Sequence, residues 1–472
     1  MAGSGAAATP PSPSPAAPRP EVETQGLYGL TPGLVRVVLA ALDDGDLERV
    51  GDLIAPLHAA DRADLLETVT AEQRRSIVDV LRPGFDPEIF AELDETVRDE
   101  VAGLLGPDEL ADAVAKLDTD DAVSLVEVLD DDVRSAVLAA VPADVRLALE
   151  EGLAYPENSA GRLMQRQLVA VPAGWTVGET IDYLRSSDDL PDEFYDVFVV
   201  DPGHVPVGYV ALSRAMRTTR PVRMSDIMEP DLKVIPAEMD QEEVAFLFHQ
   251  YRLVSAPVVD RAGRLTGVIT VDDVVGVVGE EAEDDIMRLG GVRETDIHEP
   301  AWKTARRRFA WLLVNLVTAI MASSVIWFFD ATIEQMVALA VLMPIVASMG
   351  GNAGTQTLTV SVRALATKEL TPANALRMVG KEGLVGVFNG VLFAIVTAAV
   401  AAAWFSDPLL GVVIGAAMVV NMLVAALSGI LVPLGLARIG VDPAVAAAVF
   451  VTTVTDIVGF FGFLGLAALV LL

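Results

Sequence analysis

Cysteine is absent from the 472 residues, which excludes disulfides, thiolate metal ligands and thiol catalysis. Histidine is scarce: there are four, all before the apolar C-terminal part, which argues against a histidine-rich zinc site there. Long apolar runs are lacking before Trp311, and acids are rare after it, limited to Asp330, Glu334, Glu369, Glu382, Asp407, Asp442 and Asp456. Residues 1–26, rich in Ala, Pro, Ser and Gly, lack the charged region and apolar core of a secretory signal and read as a disordered lead. Nucleophile-base pairs, phosphate loops and metal-hydrolase motifs are missing too, so no enzyme is expected. What is present is acid: Asp and Glu total 66 against 33 Lys and Arg, for a formal net charge of -33. Nearly all of it lies before Trp311, and such a surface repels nucleic acid and attracts cations.

Over 27–155 the apolar residues fall at helical spacing, and a unit repeats. Leu57, Asp61, Leu65, Glu67, Arg74, Ile77 and Leu81 are echoed by Leu117, Asp121, Leu125, Glu127, Arg134, Val137 and Val141. A superhelical stack of helix pairs follows from that pattern. From about Ser159 short β-branched runs alternate with helices, and a second duplication appears: DVFVVDPGHVPVGYVALS is matched by SAPVVDRAGRLTGVITVDD. Each copy reads as strand, turn, strand and helix start, in an α+β region over 156–278. These copies resemble a pair of CBS domains. In the second, Thr270 and Asp273 match the element that in this family faces a nucleotide ribose and phosphates, which implies ATP or another adenine nucleotide there. The first copy has Ser213 and Met216 in those places. For Asp273 the alternative is a carboxylate held at a helix N-terminus by the helix dipole.

Residues 279–308 begin strongly acidic and end strongly basic, and read as a connecting helix that meets a membrane at Arg306, Arg307 and Arg308. Five spans follow within 309–472, at about Phe309–Phe329, Ile333–Val362, Leu384–Trp404, Leu409–Leu436 and Pro443–Leu472, each able to cross a core that needs about 20 residues of helix. Basic residues cluster at Lys303–Arg308, Arg363–Lys381 and Arg438, whereas the loops at Asp330 and Asp407 have none. The positive-inside rule then places the soluble domains and N-terminus in the cytosol and the C-terminus outside.

Asp456 sits mid-span, where an ionisable group is costly unless it faces water or a partner. It is read as functional, with a structural carboxylate bonded to Thr452, Thr453 or Thr455 as the alternative. Asp442 stands at the mouth of the same span, or caps the helix before Pro443. In the second span, Pro344, Gly350, Gly351 and Gly354 suggest a broken helix with exposed carbonyls beside Asn352 and Gln356. A small-residue packing face is the competing reading.

The segments PIVASMGGNAGTQ and GVDPAVAAAVFVTTVTDIVG, with the order of modules, resemble MgtE-family Mg²⁺ channels over nearly the whole chain. The resemblance implies a multi-pass inner (plasma) membrane homodimer with its pore between protomers and Asp456 at the selectivity site with Asn352, Gly351 and Thr452. It implies Asp442 at the cytosolic mouth. It also implies that cytosolic Mg²⁺, bound between the N-domain, CBS pair and connecting "plug" helix, closes the pore. The sensor carboxylates would be Asp108, Asp112, Glu242, Asp273, Glu281, Asp284 and Asp285. Gly276 and Arg252 stand where acids are expected in relatives, which leaves the number of sensor ions open. The other readings are a transporter of Co²⁺ or Mn²⁺, and a non-conducting, nucleotide-sensing membrane receptor.

Overall fold

The computed structural model describes residues 29–187, 190–191, 193–292 and 301–471. The chain divides into two compact units, Met1–Glu151 and Gly152–Leu472. The first is all-helical among its described residues, and its helix pairs carry the repeat. Ala59–Thr68 with Ala71–Leu81 corresponds to Thr119–Val128 with Asp131–Ala140. Leu65 and Ile77 in one pair, and Leu125 and Val137 in the other, are fully buried. The repeated arginine has a structural task. Arg74 donates from Nε to the carbonyl of Leu66 at 2.8 Å, and Arg134 to that of Val126 at 3.1 Å. Each supplies donors to carbonyls left open at the end of the preceding helix.

The second unit begins with two three-stranded sheets, β1 (Ala170–Pro172), β2 (Asp196–Val200) and β3 (Pro206–Ala211), then β4 (Ile235–Pro236), β5 (Ser255–Val259) and β6 (Leu265–Thr270). In each the first strand runs parallel to the second and the second antiparallel to the third, with an irregularity between Val199 and Val200 or Val258 and Val259. The turns match as well. Asp201 Oδ1 accepts from the amides of Gly203 and Val205, and Asp260 Oδ1 from those of Ala262 and Arg264, at 2.8–2.9 Å. A short polar side chain thus closes each hairpin on its own backbone. Phe198 and Val200 of one copy pack with Leu265 and Val268 of the other.

The connecting helix starts earlier and stops sooner than its charge pattern predicts. It runs Val271–Leu289, directly out of β6, and its chain turns at Gly291, whose φ is +71°. Residues 293–300, the rest of the acidic-to-basic segment, lie outside the described residues. The basic run belongs to the next helix, Ala301–Phe328.

Among the described residues five helices are long and apolar enough to cross a membrane: Ala301–Phe328, Ala338–Ala366, Ala375–Phe405, Pro408–Arg438 and Pro443–Val470. The second departs from expectation. A short helix, Asp330–Gln335, ends before it, and Ala338–Ala366 then continues through Pro344 and all three glycines. No broken segment exposes carbonyls there, because the fourth span supports it: the buried Asn421 donates from Nδ2 to the carbonyl of Val346 at 2.8 Å. Proline is tolerated within such helices when neighbouring groups meet the backbone's needs.

Within the second unit, the helix Gln241–Tyr251 and the connecting helix meet one end of the spans. Lys368, in the loop after the second span, lies 3.4 Å from Glu243 and over the ring of Phe246, both on the helix Gln241–Tyr251. Leu289, at the end of the connecting helix, packs against Leu358, Val362, Ala444, Ala447 and Val451 of the second and fifth spans.

Candidate functional site

The fifth span begins at Asp442, which caps the helix as one of its sequence readings expects. Its Oδ1 caps the helix by accepting from the amide of Ala444 at 2.8 Å, and its Oδ2 accepts from Arg288 Nη1 at 2.7 Å. Farther along, the hydroxyls expected to compete for Asp456 are otherwise engaged. Thr452 donates to Ala448 and Val449, Thr453 to Val449 and Thr455 to Thr452, all backbone carbonyls within the helix at 2.6–3.1 Å. Asp456 is partly buried and has neither a hydrogen-bond donor nor a cation beside it among the described residues. A carboxylate at membrane depth without an internal partner is stable only beside water or a mobile cation.

In the second span the glycines divide. Gly350 and Gly354 are buried and have packing tasks, since a Cβ on Gly350 would strike the Asn421 amide and one on Gly354 would lie 2.6 Å from Val451. Gly351 faces open space, and Asn352 is exposed with its amide 3.5 Å from Ser348 Oγ. Asn352 makes no hydrogen bond to Asp456 among the described residues.

Around the connecting helix the chain brings several acids together. Glu281 Oε1 accepts from Gln241 Nε2 at 2.8 Å, and Asp284 pairs with Arg288, which also holds Asp442. Burial pushes the Asp285 carboxyl above its ordinary range. The charge of Asp442 adds to this, Arg288 opposes it, and Glu281 and Asp284 contribute further upward pressure. The side chain of Glu242 is exposed over much of its length, yet loss of water around its carboxyl raises it too. Glu281, Asp285 and Asp240 add to that effect, and Lys368 opposes it. Glu242, Glu281, Asp284, Asp285 and Asp442 thus form one electrostatic neighbourhood with two cations, Arg288 and Lys368. Closely spaced like charges resist simultaneous ionisation, and a divalent cation relieves them. Among the described residues no three of these or other Asp, Glu or His side chains stand close enough to hold a metal ion together.

Two expected sensor positions and the nucleotide element belong to other elements of the chain. Asp108 and Asp112 belong to the first unit, on the helix Pro107–Val114, where Asp112 pairs with Lys116 at 2.9 Å. Asp273 closes a capping arrangement. The Thr270 hydroxyl donates to its Oδ2 at 2.7 Å and Gln165 Nε2 at 3.3 Å. A cleft of about 20 Å³ opens beside Thr270, edged by Tyr195, Asp196, Phe198 and Ser255. In this form it fits a water molecule or two and not a nucleotide, since one water needs at least about 10–15 Å³. Of its two acidic residues, Glu193 and Asp196, Asp196 has its carboxyl raised by burial although the Ser255 hydroxyl donates to it at 2.6 Å.

Reading the sequence missed Arg288 and Asn421. Arg288 lies in an acidic run and its partner Asp442 is 154 residues away. Asn421 carries a signal that was available, as an amide in the middle of an otherwise apolar span.

Comparison with known proteins gives a consistent picture. Family models match at residues 343–466 (MgtE, divalent cation transporter), 57–158 (MgtE intracellular N domain) and 224–280 (CBS domain). The chain is 31% identical to the magnesium transporter MgtE of Thermus thermophilus, over 91% of this chain and 97% of that one. It is 28% identical to the magnesium transporter MgtE of Bacillus subtilis, over 92% and 96%. The solved cytosolic domain of the Mg²⁺ channel MgtE in complex with ATP aligns with 52% of this chain and 99% of that chain, at 28% identity and a TM-score of 0.47.

Proposed function

This chain belongs to the MgtE family of divalent cation transporters, and from that premise we propose that it passes Mg²⁺ through a membrane by way of Asp456 and closes in response to Mg²⁺ at its soluble modules. The observation that carries the reading is the Asp456 carboxylate, unpartnered among the described residues, in the middle of an apolar helix. Mg²⁺ sheds water reluctantly and is held by one or two carboxylates that leave several waters in place. Two copies of Asp456, facing each other across a homodimer axis, would supply such a pair and grip the hydrated ion without stripping it. Asn352, Gly351 and Thr452 are the neighbouring groups that would shape the passage.

The gate lies at the connecting helix. Without Mg²⁺ the carboxylates of Glu242, Glu281, Asp284, Asp285 and Asp442 repel one another, which favours separation of the helix from the mouth of the fifth span. Bound Mg²⁺ removes the repulsion and favours contact. Arg288 does part of this work, since its guanidinium bridges Asp284 and Asp442. Asp108 and Asp112 would join the sensor from the first unit. The loops that carry Lys368 and Asp442 are then cytosolic with the N-terminus, in a plasma membrane, and the C-terminus is outside. An adenine nucleotide at the second CBS copy would require Asp273 to leave Thr270 and Gln165 and the cleft to widen.

Purified protein in liposomes is expected to take up Mg²⁺ when Mg²⁺ on the soluble-module side is chelated, and to stop when it is restored. The double variant Asp284→Asn, Asp285→Asn is expected to keep conducting after restoration. Closure unchanged from the unsubstituted chain would remove the connecting helix from the sensor. Co²⁺ or Mn²⁺ taken up in preference to Mg²⁺ would reassign the ion.

A further inference from the structure

A cavity of about 140 Å³ opens between the second, third and fourth spans, lined by Gln356, Thr357, Glu382, Asn389, Met422 and Ala426 among others. Asp456 and Asn352 do not line it. Its only ionisable wall residue is Glu382, in the third span, whose Oε2 accepts from the Thr357 hydroxyl at 3.4 Å. No Lys or Arg stands within ion-pair distance of Glu382 among the described residues. A half-buried carboxylate near the end of an apolar span, held by a single long hydrogen bond, is stabilised by water or a cation beside it. The cavity offers both room and ligands. At about 10–15 Å³ per water it takes several waters, and Gln356, Asn389 and Thr357, which line it, each carry an oxygen able to accept from them.

We propose that this cavity is a second divalent-cation site inside the protomer, with Glu382 as its one anionic ligand and Thr357, Gln356 and Asn389 holding the ion's waters. One carboxylate, neutral oxygens and retained water form the donor set that suits Mg²⁺. An ion here neutralises Glu382 and ties the second span to the third. The choice of Mg²⁺ rests on the transport reading, and the binding site itself does not.

Met422 makes the site measurable, because its methyl group lies on the wall. The experiment uses the full chain in lipid nanodiscs with ¹³C-methyl methionine, titrated with paramagnetic Mn²⁺, and the Met422 signal is assigned by its loss in Met422→Leu. Mn²⁺ should broaden the Met422 methyl in the unsubstituted chain and equally in Asp456→Asn. The effect should vanish in Glu382→Gln and need about ten-fold more Mn²⁺ in Thr357→Val, the scale at which loss of a supporting hydrogen bond weakens metal sites. Mg²⁺ should reverse the broadening where the same concentration of Na⁺ does not. Broadening that persists in Glu382→Gln, or reversal by Na⁺, overturns the proposal. If Glu382→Gln loses the dispersion of the buried Met418 methyl and so has not folded, Thr357→Val decides alone, and an unshifted titration there overturns it. A chain that binds Mn²⁺ at Met422 and conducts nothing leaves this site standing while removing the transport reading, and the two failures are therefore distinct.

Discussion

At the scale of single residues, two adjacent glycines do different work. Gly350 is buried against the Asn421 amide, and Gly351 faces open space. Gly350→Ala overpacks a contact that has no room to yield, at a cost of about 1–3 kcal/mol. Gly351→Ala meets nothing within 4 Å and gains helix propensity of up to about 1 kcal/mol. Thermal unfolding in detergent should therefore show a lower Tm for Gly350→Ala and an unchanged or higher one for Gly351→Ala. Equal shifts would contradict the packing described. The sequence displays both glycines in one motif, and with Asn352 and Gln356 beside them they read as a broken helix in preference to a packing face, which the continuous helix Ala338–Ala366 corrects. The deciding fact is a contact with Asn421, on another span, which no local pattern encodes.

At the scale of elements, the connecting helix, the helix Gln241–Tyr251 and the start of the fifth span share one set of acids. Their strain has a sign that pH can read. Asp285 and Glu242 have carboxyls raised above the ordinary range in the folded chain, so folding binds protons where the unfolded chain has already released them. Ionisation of these two groups therefore weakens the fold, and the penalty, fully present above their raised values, is relieved as pH falls through them toward the ordinary carboxylate range. In chelator, Tm should rise as pH is lowered into that window. Added Mg²⁺ should raise Tm at neutral pH, by an increment that shrinks as protons take its place. Asp285→Asn should reduce both effects, and a Mg²⁺ increment independent of pH would contradict this coupling. The acidity of this region was legible in the run that begins at Gly279. Its ends were not, because the helix emerges from β6, and because the mouth of the fifth span is joined to it by Arg288 through an ion pair far apart in sequence.

At the scale of the whole molecule, the chain separates its chemistry by composition. A net charge of -33 is concentrated before the first span, while the five apolar helices contain just two acids, Glu382 and Asp456, which therefore stand out. That division was legible from hydropathy alone, as were the repeated helix pairs and the duplicated strand-turn-strand copies, because both repeats are written in buried residues and in turn residues with fixed tasks. How copies of the chain would pair is not legible, since the proposed pore between two copies would be built from surfaces that one chain leaves exposed. The account therefore turns on the mid-span carboxylate that the single chain does not neutralise. The most direct test is Mg²⁺ influx into liposomes with Mg²⁺ chelated on the soluble-module side, comparing the unsubstituted protein with Asp456→Ala. The account predicts saturable influx in the first and background leakage in the second, with both proteins equally folded. Equal influx through both would contradict it.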